Sequence, residues 1–231
     1  MAFATIGNSG LTGSIDLTSK VTGSLPVANG GTGLTSGTTD QFLKFTGSTT
    51  VASAAVATDF VLIQSQTTTS ASSLSFTTSF DGTYDTHMFV VNNLDPSDDG
   101  QQFVCRVLTG SGGSTEQTGG YVFALTGLGA NGTTYEVNST STSKFTLMQD
   151  VDNYATYKSG LTLWLGKPDE TALKRLWWIG GGERDGAGAN VAWNGAGCCA
   201  DSSDAITGLK FYMTAGTFST VTINHYGFKG S

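Results

Sequence analysis

The chain has 231 residues, of which 13% are charged, with 32 glycines, 3 prolines and a formal net charge of −7. Typical soluble domains carry about 25% charged residues, so polarity here falls to Ser and Thr hydroxyls set between apolar residues. The acidic balance leaves no basic stripe for phosphates or for an anionic membrane, which argues against a general nucleic-acid binder and against electrostatic membrane docking.

Residues 1–57 differ in texture from the rest. Their only aromatics are Phe3, Phe42 and Phe45. Met1 to Thr5 has neither the basic region nor the apolar core of a signal peptide, so synthesis in a cytoplasm is expected. Leu11-Thr12-Gly13-Ser14-Ile15 returns approximately as Val21-Thr22-Gly23-Ser24-Leu25. Apolar residues alternate at Ile15 and Leu17, and again at Leu25 and Val27. Strands this short cannot bury a core within one chain, but wrapped against copies of themselves they can. An extended, intertwined oligomerisation segment is therefore expected.

The stretch Gly23–Gly33, GSLPVANGGTG, is a bend without chemistry. Pro26 fixes φ, while Gly30, Gly31 and Gly33 admit backbone shapes that other residues resist. With Leu34-Thr35-Ser36 behind it, the stretch resembles a junction found in bacteriophage fibre proteins. That resemblance implies a trimer, with Ile15, Leu17, Leu25, Pro26, Val27, Gly30, Gly31 and Gly33 serving oligomerisation and attachment to other virion proteins. Gly37 to Gly47 looks like the hairpin-like piece that often follows such a junction. Val51 to Ala57 reads equally as a brief helix or a strand.

From residue 58 to 231 the pattern is that of a β-domain. Apolar runs of strand length occur at Phe60–Ile63, Leu74–Phe76, His87–Val91, Phe103–Leu108, Gly120–Leu125, Lys144–Met148, Leu161–Leu165, Leu176–Ile179, Ile206–Met213 and Thr220–Tyr226. Gly, Asn and Asp turns separate them. Short alternating segments of this kind predict an all-β, jelly-roll-like sandwich. No 3.6-residue periodicity competes with that reading. The end of the chain, with Tyr226-Gly227-Phe228-Lys229, resembles the closing hairpin of phage appendage β-domains.

Candidate chemistry is sparse. Glycoside cleavage needs two carboxylates at a defined separation, and Glu183 with Asp185, flanking Arg184, is the nearest approach to a pair. His87 and His225 accompany no nucleophile elbow or zinc motif, and His87 reads as a strand residue at a sheet edge. Asp95, Asp98 and Asp99 sit in a turn and offer hard oxygens to a cation such as Ca²⁺, although solvated turns use the same residues. Cys105, Cys198 and Cys199 fit no disulfide framework, so free thiols are expected. No cofactor motif is present.

Gly180 to Asp204 reads as a long glycine-rich loop. It contains Glu183, Arg184, Asn190, Trp193 and Asn194, an aromatic ring beside amides and charges, as a sugar site requires. These five are the expected receptor-contact residues. The expected protein is thus a homotrimeric virion fibre subunit, assembled in the host cytoplasm, contacting a host-surface glycan and using no cofactor, nucleic acid or membrane insertion. A capsid-mounted head fibre or decoration protein is the first alternative. A polysaccharide-degrading spike enzyme is the second.

Overall fold

The structure is a computed structural model that describes residues 38–39, 41–48, 50–54, 59–154, 156–171, 175–184, 189–200 and 204–229. The residues expected to oligomerise and attach, Ile15, Leu17, Leu25, Pro26, Val27, Gly30, Gly31 and Gly33, lie outside them. The chain divides into two units between Thr58 and Asp59. In the first, β1 (Phe42–Phe45) and β2 (Val51–Ala54) form an antiparallel hairpin in which Phe42 faces Ala54. The ambiguous Val51–Ala54 piece is therefore strand.

The second unit is built from strands, and its described residues include no α-helix. In chain order these are β3 (Phe60–Thr68), β4 (Ser73–Phe76), β5 (Thr86–Pro96), β6 (Gln101–Thr109), β7 (Thr115–Glu116), β8 (Tyr121–Gly129), β9 (Thr134–Thr142) and β10 (Phe145–Val151). They continue with β11 (Ser159–Gly166), β12 (Arg175–Arg184), β13 (Ala189–Cys199), β14 (Gly208–Met213) and β15 (Phe218–Phe228). Two antiparallel layers result. The larger runs β3-β15-β5-β11-β12-β13-β8-β9, and the smaller runs β10-β6-β14-β4 with short β7 on β6. The layers meet where Val151 of β10 pairs with Arg184 of β12. Here β10 bulges, with Asp150 at φ 45°, and turns that carboxylate onto Arg184. Aspartate tolerates this left-handed backbone better than most residues. The nearly closed sheet is held at the joint by this ion pair.

One pairing relationship organises the layers. β3 pairs with β15, β4 with β14, β5 with β11, and β6 with β10. The first four strands are thus matched, in reverse order, by strands from the second half of the chain. The remaining strands are insertions: β7 to β9 lie between β6 and β10, and β12 and β13 between β11 and β14. The two insertions find each other, since β13 pairs with β8. They extend the larger layer by four strands.

Alternation sends one face of each strand inward. On β11, Leu161, Leu163 and Leu165 are buried. An aromatic cluster fills the space between the layers: Phe76 meets Phe89, Phe89 meets Phe211, Phe211 meets Phe103, and Phe103 meets Phe218. Burying each phenyl ring stabilises the fold by roughly 1.5–3 kcal/mol. Two departures from the sequence reading matter for the site. The expected Gly180–Asp204 loop is largely the antiparallel pair β12–β13, and β9 is a strand although its hydroxyl-rich sequence gave no signal.

Candidate functional site

The β12–β13 ladder sets the five expected contact residues on two opposite faces. Gly180 faces Trp193, Ile179 faces Asn194, and Glu183 faces Asn190. Glu183, Asn190 and Asn194 share the outer face, and both asparagines are exposed. Trp193 points inward and is only 1% exposed. Its ring lies over Gly127 of β8, where a Cβ atom would sit 2.5 Å from it. Glycine is required there because the indole occupies the space a side chain would take. Arg184 also points inward, paired with Asp150 and stacked 4.4 Å from the Tyr135 ring. The five residues are therefore not one surface: Trp193 is a core residue, Arg184 is a half-buried residue of the joint, and Glu183, Asn190 and Asn194 lie on the outer face.

The turn that offered oxygens to a cation holds two of its acids in other bonds. Asp95 ends β5 buried, and its Oδ2 accepts a hydrogen bond from Lys158 Nζ at 2.5 Å. Asp99 Oδ1 accepts backbone N–H groups of Gly100 and Asn153. Among the described residues no cluster of three His, Cys, Asp or Glu is placed to hold a metal ion. Cys105, Cys198 and Cys199 form no disulfide.

The outer face of the larger layer carries what the sequence reading missed. By register, one row of side chains crosses eight strands: Leu62, Tyr226, Met88, Trp164, Trp177, Ala196, Ala124 and Asn138. Its first half is large and apolar. Trp177 is 43% exposed and lies parallel to Trp164, with ring centroids 6.2 Å apart and planes 8° apart. Its second half drops to two methyl groups and then rises to an amide on β9. The result is a groove of about 610 Å³, walled by Trp177 on one side and by Asn138 and Thr140 on the other. Ala124 and Ala196 make the floor. The adjoining row, Arg175, Cys198 and Val122, closes one end.

Among the described residues, no hydrogen bond or ion pair of a side chain engages the groove's Asn138, Thr140 or Arg175. Arg175 is exposed and forms no ion pair among the described residues. Asn138 and Thr140 are exposed on the same wall. Such a site can bind and orient a ligand that has an apolar face and a polar edge. The signal for Trp177 was present in the sequence as Leu176-Trp177-Trp178-Ile179, since adjacent strand residues face opposite ways. Trp178 took the inner position, donating from Nε1 to the Leu147 carbonyl at 3.1 Å.

No helix among the described residues is long and apolar enough to cross a membrane. No protein-family model matches the chain, and no curated protein does. Among solved structures, it is slightly similar to the infectious bursal disease virus VP2 subviral particle, with 11% identity, a TM-score of 0.14, and coverage of 80% of this chain and 45% of that one. The infectious bursal disease virus Gx strain gives 13% identity, a TM-score of 0.13, and coverage of 81% and 46%. The chain spans less than half the length of either. Likeness this slight shows no shared fold.

Proposed function

We propose that the chain is a bacteriophage virion fibre subunit, a homotrimeric tail fibre that attaches to other virion proteins through residues 1–57 and meets the host surface through its β-domain. The observation that carries this reading is the strand pairing. β3 to β6 matched in reverse by β10, β11, β14 and β15 is the order expected when one antiparallel ribbon rolls into a jelly roll. Jelly rolls serve as viral capsid and lectin domains, which bind and assemble. The GSLPVANGGTG junction adds the resemblance to fibre proteins. The work of such a protein is adhesion, and three linked copies of a modest site gain avidity without any stronger single contact.

Two measurements test it. Native mass measurement is expected to give three copies of the 23.9 kDa chain. A stable monomer at micromolar concentration overturns the trimer. Labelled electron microscopy of intact particles is expected to place the protein on the tail. Label on the capsid would move the reading to a head fibre or decoration protein.

A further inference from the structure

We propose that the outer-face groove between Trp177 and Asn138 binds a saccharide, with a pyranose ring stacked on the Trp177 indole and its hydroxyl edge on Asn138, Thr140 and Arg175. The assignment rests on the reading of the β-domain as the part that meets a cell surface, and it places the contact on residues the β12–β13 ladder leaves outside.

Three features select this ligand class. The first is shape. A volume of about 610 Å³ lies within the roughly 300–1,000 Å³ of small-ligand sites. The groove spans the three strand spacings from β12 to β9, about 14 Å at some 4.8 Å per spacing. That width admits a ring and its substituents. The second is the chemistry of the walls. A sugar ring has C–H bonds on one face and hydroxyls around its rim, so it matches an indole facing an amide, a hydroxyl and a guanidinium. A purely apolar ligand would leave those three groups without partners. Arg175 presents paired donors, suited to two adjacent hydroxyl oxygens of a sugar or to a carboxylate. The third is rigidity. The parallel Trp164 ring braces Trp177 on the neighbouring strand, so little side-chain freedom is lost on binding.

Charge bears on the alternative occupant, a second copy of the chain. Apart from Arg175, the groove is lined by no charged side chain. A like copy would bring a second Arg175 to the same face and supply no acid from the groove to meet it.

The test uses the full-length protein on a printed array of bacterial surface polysaccharides, neutral and uronate-bearing. Binding to at least one saccharide is expected, weakened about tenfold or more by Trp177→Ala. Ile179→Ala, on the same strand and face but outside the groove lining, is expected to leave it unchanged. Cys198 lines the groove, whereas Cys105 and Cys199 are buried. The bound saccharide should therefore slow alkylation of Cys198. Circular dichroism checks that each variant is folded. No binding across the array, binding indifferent to Trp177→Ala, or unprotected Cys198 overturns the site. A change in native mass caused by Trp177→Ala overturns it too, and assigns the face to a sister chain. These outcomes are separate from particle labelling, which tests the virion reading alone.

Discussion

His87 Nδ1 and His225 Nε2 lie 2.7 Å apart in the core, although 138 residues separate them in sequence. Their rings are sandwiched, with Phe80 stacked on His87 at 4.6 Å and Phe89 on His225 at 4.4 Å. One imidazole donates and the other accepts, which keeps both rings neutral, while His87 Nε2 and His225 Nδ1 are buried without a hydrogen-bond partner. Burial pushes His87 down to about 4. Burial, together with the charge of His87, pushes His225 down to about 3. Asp81 and Asp169 act on His87 from outside the stack and only partly offset this.

Acid is therefore expected to unfold the β-domain before most of its carboxylates titrate. Below about pH 6.5 the unfolded chain takes up two protons that the folded pair refuses, so stability falls as pH falls. Between pH 6.5 and 5, two such groups contribute a loss of about 3 kcal/mol. Urea unfolding across that window measures it. His87→Gln combined with His225→Gln should flatten the dependence, and an undiminished slope in the double variant would assign it to other groups.

The two ladder tryptophans should differ sharply in stability cost. Trp193 fills the core over Gly127, so Trp193→Ala leaves a large cavity and is expected to cost about 3–5 kcal/mol. Trp177 loses a half-exposed surface and one aromatic stack, the latter about 0.5–1.5 kcal/mol. Denaturant midpoints of the two variants check this. Equal losses would mean that Trp177 is covered in the native assembly.

Legibility in the sequence followed local pattern. Leu161–Leu165 and Phe103–Leu108 alternate or cluster strongly enough to be read as strands, and they are β11 and much of β6. β9, TYEVNSTST, has two apolar residues, Tyr135 and Val137, because one of its faces is open to solvent. β13 was hidden by its glycines. Gly195 lies under Trp178, and Gly197 lies against Phe123 and Phe145, so residues that looked like loop are the small halves of large-to-small packing. Val191 and Trp193, two apart on β13, share the buried face, a pattern the surrounding glycines obscured. The histidine pair had no local signal at all. His87 sits mid-sheet rather than at an edge because β5 is flanked by β15 and β11, a neighbourhood set by pairing between distant parts of the chain.

The end of β5 offers a last test, at the acid first considered as a cation ligand. Asp95 is 6% exposed, and its second carboxylate oxygen, Oδ1, is buried without a hydrogen bond. Lys158 supplies its charge partner, and the Lys158 side chain is itself partly open to water. Removing a partner from a fully buried pair costs about 3–5 kcal/mol, and exposure reduces that. Lys158→Met is therefore expected to cost about 1–3 kcal/mol. Adding Asp95→Asn should recover part of it, because the uncompensated charge is then gone. Urea unfolding of the two single variants and the double variant closes the cycle. If the double variant is as unstable as the sum of the singles, the ammonium contributes packing alone and the pair carries no coupling.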